Sequence, residues 1–85
     1  MICDIAAAQG NLDAQLNLGS VYYEGEGVAE DLARSRMWLS IVADHRYRDA
    51  AKMRDTVKKE MTAAQASQAQ AMQRKCQASN YKDCD

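Results

Sequence analysis

The sequence predicts an all-α chain built as an α/α superhelix, a solenoid of stacked antiparallel helix pairs. Three observations carry that expectation. The 85 residues include no Pro and no Phe, while Ala, Gln and Met are abundant; this composition favours helix over strand. Apolar residues recur every three to four positions, the period of a helix with a buried face. Finally, the chain matches itself at an offset of 36, with seven identities in the first twenty-four positions: Met1/Met37, Ile5/Ile41, Ala7/Ala43, Asp13/Asp49, Ala14/Ala50, Val21/Val57 and Glu24/Glu60. Chance supplies about two at ordinary residue frequencies. Self-similarity at such a period marks a repeat architecture.

The elements follow in order. Residues 1–9 supply the tail of a helix from a preceding unit. Residues 11–24, "NLDAQLNLGSVYYE", form the first full helix. Ala14, Leu18, Val21 and Tyr22 share one face; Leu12, Leu16, Gly19 and Tyr23 share a second. Two apolar faces place this helix between neighbours. Gly19 in mid-helix costs about 1 kcal/mol against Ala, which close approach of a neighbouring helix would justify. Glu30 and Asp31 suit the start of a second helix, 31–44, because acids complement the positive end of its dipole. A third helix, 47–60, carries the apolar line Tyr47, Ala50, Met53 or Arg54, and Val57. Thr62 followed by Gln65 is a capping-box signature. It opens a last helix, about 63–79, with a thin stripe of Ala69, Met72 and Cys76. The pairs are therefore 11–24 with 31–44, and 47–60 with 63–79.

The loop "GEGV" at 25–28 raises the question of phosphate binding. A dinucleotide fingerprint wants a third Gly after a strand, and a Walker-type loop ends in Gly-Lys-Ser or Gly-Lys-Thr. Here a helix precedes, no Lys follows, and Glu24, Glu26 and Glu30 surround the turn. The expectation is structural: Gly25 and Gly27 take backbone conformations closed to other residues and reverse the chain.

The stretch "AQLNLGSVYYEGEGVAED" (14–31), with Trp38 and Ala43, resembles the Sel-one-like repeat, a relative of the tetratricopeptide repeat. Ala14, Leu18, Gly19, Tyr22, Gly25, Gly27, Val28 and Asp31 carry the first block of the pattern. Ala6, Ala7 and Gly10 match the end of a preceding unit, with Ile2 where Trp is usual. The resemblance implies one domain over 1–85, divided as the end of a preceding repeat (1–10), a full repeat (11–46), and a degenerate repeat with C-terminal cap (47–85). "RDTVKKEMTAAQ" (54–65) is similar to the closing segment of bacterial members. In the repeat frame Met1 falls mid-helix, which suggests a fragment or a very short member. Ser35 stands for a small Ala, Val42 for the first Ala of a pair, and Arg46 for the Gly that ends the helix; Arg54-Asp55 replaces Leu-Gly. The family pattern also makes Trp38, Tyr22, Leu18 and Gly19 packing residues rather than a binding pocket.

Charge is segregated. Residues 1–31 hold six acids and no Lys or Arg, whereas residues 34–82 hold all eleven bases against four acids. Two solvated faces explain this, as does steering of a charged partner or a second copy. No apolar run is long enough to span a membrane, and residues 1–9 lack the basic start of a secretory leader. His45, the single His, has Asp44 and Asp49 nearby in sequence but no nucleophile with an orienting group; it reads as a solvated turn residue. One His and three scattered Cys show no zinc spacing. No catalytic residue, metal or cofactor is therefore expected. Cys76 and Cys84 are close enough in sequence to pair in an oxidising compartment, periplasmic or secreted, and stay thiols in the cytosol. Cys3 is left over as a small core residue.

The functional expectation is a scaffold or adaptor module for a protein or peptide. The resemblance implies it, because first helices of each pair line the concave face in that family. The polar stripe Asp13, Asn17, Ser20 and Glu24 returns 36 residues later as Asp49, Met53, Thr56 and Glu60. These eight residues form either a shallow partner groove or ordinary wet helix faces. Nucleic acid is not expected, since the bases of 46–59 lack interleaved aromatics beyond Tyr47. The alternative is a structural cap or self-associating segment, pairing as a homodimer or by domain exchange through an apolar edge of Ile2, Ile5, Leu12 and Leu16.

Overall fold

A computed structural model describes residues 7–84. Four α-helices account for most of them: α1 (Leu12–Glu24), α2 (Leu32–Ala43), α3 (Arg48–Lys59) and α4 (Ala63–Ala78). No strand occurs among the described residues. Each boundary falls within one residue of the sequence expectation. Ile2, Ile5, Ala6 and Cys3 lie outside the described residues.

Local chemistry sets the helix ends. The Asn11 side chain accepts from the Ala14 N–H at 2.9 Å to open α1. The Asp31 carboxylate does the same for α2, accepting from Arg34 N–H at 3.0 Å. The capping box forms at α4: Thr62 Oγ1 accepts from Gln65 N–H, and Gln65 Oε1 accepts from Thr62 N–H. Gly25 closes α1 at φ 71° and donates to Val21 O at 2.8 Å, and Gly27 follows at φ 76°. Both conformations are left-handed, where a Cβ is strained. Asp31 N–H then donates to Tyr22 O at 2.9 Å, which fixes the turn. After α2, Arg46 takes φ 67°, in the left-handed region. The chain makes the left-handed turn even with a side chain in place.

Helix α2 is the centre of the fold. Ala33, Ser35, Met37, Trp38, Leu39, Ser40, Ile41 and Val42 are all buried on it. A helix buried nearly all round must be surrounded, and α2 packs against each of the other three. The expected pair α3 and α4 is joined by a short turn, but each takes α2 as its main partner. Gly19 of α1 is where the first pair closes. A Cβ there would lie 2.7 Å from Leu39 Cγ and Cδ2. Ser35 is fully buried and donates its hydroxyl to Gly19 O at 2.7 Å. Its oxygen is thus partnered rather than stranded.

Two features depart from the apolar pattern. Gln15 is fully buried, its amide donating to Ala7 O at 3.1 Å while its Oε1 has no partner. Leu12, Leu16 and Tyr23 on the second face of α1 are only half-buried. Beyond α4 the chain folds back: Cys76 and Cys84 form a disulfide with Cα atoms 4.3 Å apart, and Tyr81 packs on the core.

Candidate functional site

Three side-chain contacts set α1 beside α3. At the helix starts, Tyr47 donates its hydroxyl to Asp13 at 3.3 Å. In the middle, Ser20 Oγ lies 3.9 Å from Met53 Sδ. At the helix ends, the Tyr23 hydroxyl donates to the Glu60 carboxylate. Start meets start and end meets end, so the two helices run parallel. On the opposite side Arg36 reaches Ala66 O and Gln73 reaches Asp44, so α2 and α4 also run parallel.

Between α1 and α3 lies a cavity of about 150 Å³ lined by Tyr23, Lys52, Met53, Thr56 and Val57. Val57 is buried and forms the floor, while Tyr23 and Met53 are half-buried walls. Thr56 and Lys52 stand exposed at the rim, with Thr56 Oγ1 donating back to Lys52 O at 3.1 Å.

The eight sequence-selected residues divide. Asp13, Ser20, Met53 and Glu60 take part in the contacts that bridge the two helices. Met53 and Thr56 line the cavity. Asn17 and Asp49 are exposed and outside it. Glu24 is exposed and turns to Glu26: hydrogen bonding to Glu26 and its negative charge raise the Glu24 carboxyl above its ordinary value. Sequence reasoning missed Tyr23, Lys52 and Val57 as parts of one cavity. The apolar periodicity of α1 places Tyr23 on a packing face, and its phenolic hydroxyl is the sequence signal for a polar contact there.

Electrostatics at this face are acidic at both ends. The Tyr23 phenol is raised above 10, first by its hydrogen bond to Glu60, then by slight burial and the charges of Glu60, Glu30 and Glu24. The Tyr47 phenol is raised by the charge of Asp13 and by its hydrogen bond to that carboxylate. Each carboxylate opposes a second negative charge beside it.

Elsewhere, Trp38 is 6% exposed and Leu18 is 1% exposed within the core cluster, as packing residues should be. Together with Ala8, Tyr22, Tyr81, Lys82 and Cys84 they also bound a cavity of about 300 Å³. His45 is exposed in the turn after α2. Among the described residues no group of three or more His, Cys, Asp or Glu could hold a metal ion, and no helix is long and apolar enough to cross a membrane. Comparison with protein-family models, curated proteins and solved structures returned no match.

Proposed function

We propose that this chain is a protein-interaction module of the Sel-one-like type, taking a peptide or protein segment on the face shared by α1 and α3. The observation that carries the reading is the groove between two parallel helices, with its apolar cavity at Tyr23, Met53 and Val57 and acids at both ends. The contacts across it join residues 33, 34 and 37 positions apart. Those separations bracket the 36-residue sequence period, as neighbouring units of a solenoid require. An apolar anchor with polar surroundings is the usual form of a peptide-binding groove. The module carries no catalysis, cofactor or metal in this reading. Lys52 is the one base among the cavity's lining residues, and the acids at both ends of the groove argue against nucleic acid. The Cys76–Cys84 bond supports an oxidising compartment, periplasmic or secreted.

A second reading is favoured by α4. Only Ala69 and Cys76 are buried on that helix, and its remaining surface is largely polar. A polar outer face is what the terminal unit of an array needs. On this reading the segment caps or self-associates, and Leu12 and Leu16 belong to the pairing edge.

A peptide-display selection under non-reducing conditions separates the two. The interaction reading expects enriched peptides that lose binding to Met53→Asp, Glu24→Lys and Asp49→Lys variants whose helical circular dichroism is unchanged. Peptides that bind all three variants as tightly as the parent chain contradict it.

A further inference from the structure

The tail after α4 is held in an unusual shape. Asn80 and Tyr81 both have positive φ, 55° and 65°. Two successive side-chain-bearing residues in the left-handed region persist only when their surroundings hold them there. Several contacts do so. Tyr81 N–H donates to Cys76 O at 2.8 Å, and Asp83 N–H donates to Ser79 Oγ at 2.8 Å. Lys82 Nζ donates to Ala8 O at 3.4 Å, and Lys75 pairs with Asp83 at 3.4 Å. Both are exposed, and an exposed ion pair such as Lys75–Asp83 contributes little. The covalent hold is the Cys76–Cys84 disulfide, which closes the hook over eight positions.

The hook covers an apolar face of the body. Tyr81 and Cys84 pack on the cluster that contains Leu18, Trp38 and Cys76. The Tyr81 ring also lies against Gly10, 3.7 Å from where a Cβ would stand. The 300 Å³ cavity has Ala8, Leu18, Tyr22 and Trp38 on the body side and Tyr81, Lys82 and Cys84 on the tail side. It is the seam between the two.

We propose that residues 79–84 are a redox-released plug: Tyr81 occupies an apolar face at Leu18 and Trp38, and reduction of Cys76–Cys84 frees it. The reductant is a dithiol. Cys76 is fully buried and Cys84 is half-buried, so attack falls on Cys84 Sγ. A bond forms between the reductant sulfur and Cys84 Sγ. The Cys76–Cys84 bond breaks, and its electron pair leaves with Cys76 Sγ, which takes a proton. The second reductant thiol then attacks the reductant's own sulfur in the mixed disulfide and releases Cys84 as a thiol. The protein gains two electrons and two protons, and the dithiol becomes a disulfide. Without the covalent closure the left-handed pair relaxes, and Tyr81 leaves the face.

Trp38, the single tryptophan, lines the seam and reports the release. A Cys3→Ser background leaves only this pair to titrate. On adding a dithiol, two thiols should become reactive, Trp38 emission should move to longer wavelength, and its quenching by acrylamide should rise. Amide exchange at Tyr81 should lose its protection, while helical circular dichroism and exchange at Leu39 and Ile41 stay as they were. Tyr81→Ala with the disulfide intact should produce the same Trp38 changes without a reductant. Two free thiols with unchanged Trp38 emission and Tyr81 exchange overturn the proposal. So does collapse of the helical signal on reduction, which would make the bond a staple of the whole fold.

Discussion

Gly19→Ala sets two effects against each other, and the structure decides the sign. Helix propensity favours Ala by about 1 kcal/mol in mid-helix. The new Cβ, however, would sit 2.7 Å from both Cγ and Cδ2 of Leu39, where contact distances of about 3.5–4.0 Å are needed. Leu39 is fully buried, and Cγ is not a movable chain end. Either Leu39 leaves its rotamer or α1 and α2 separate by about 1 Å, and overpacking of that kind costs about 1–3 kcal/mol. Separation also stretches the Ser35-to-Gly19 hydrogen bond. The net expectation is a loss of about 1–2 kcal/mol after the propensity gain is offset. In a chain of this size each kcal/mol lowers the thermal midpoint by about 4–8 °C. Thermal and urea unfolding followed by circular dichroism, on oxidised protein, read this directly. In a Leu39→Ala background the same substitution should become neutral or stabilising, with a coupling of about 0.5–3 kcal/mol. A Gly19→Ala protein that melts above the parent chain refutes the close-approach argument.

Other substitutions test separate links. Arg46→Gly should stabilise by about 0.5–1 kcal/mol, since relief of left-handed strain exceeds the added chain entropy of Gly; the urea midpoint should rise, and Arg46→Val should lower it. Thr62→Ala removes the α4 capping box and should cost about 1 kcal/mol, seen as faster amide exchange through the first turn of α4. The raised phenol of Tyr23 gives a pH test. Because its folded value lies above the ordinary 10, its contribution is fully present below that pH and is lost as pH climbs through the raised value. Alkaline absorbance titration should show a late-ionising phenol that Tyr23→Phe removes and that Glu60→Gln shifts to lower pH.

Most of the helical layout was legible because local signals agree with the packing. Asn11, Asp31 and Thr62 accept the hydrogen bonds their residue types favour, and Gly25 and Gly27 take the conformations only glycine adopts freely. The Ala69, Met72 and Cys76 stripe faces inward as its spacing required. Other features depend on partners distant in sequence. Gln15 is polar, so a periodicity argument turns it outward, yet Ala7 O draws its amide into the core. Arg46 is not a residue type that favours positive φ, and only the backbone shows that it makes a left-handed turn. Tyr23, Lys52 and Val57 form one cavity because α1 and α3 lie side by side. The 36-residue sequence period sets Asp13 against Asp49 and Ser20 against Thr56, whereas the contacts that form join Asp13 to Tyr47 and Ser20 to Met53. That difference depends on side-chain reach.

The groove reading is tested most directly by mapping a selected peptide on the labelled protein by nuclear magnetic resonance. Shifts on titration should concentrate at Tyr23, Met53, Thr56 and Val57, extend to Glu24 and Glu60, and vanish in Met53→Asp. Shifts confined to α4, or to Leu12 and Leu16, would contradict a binding face between α1 and α3.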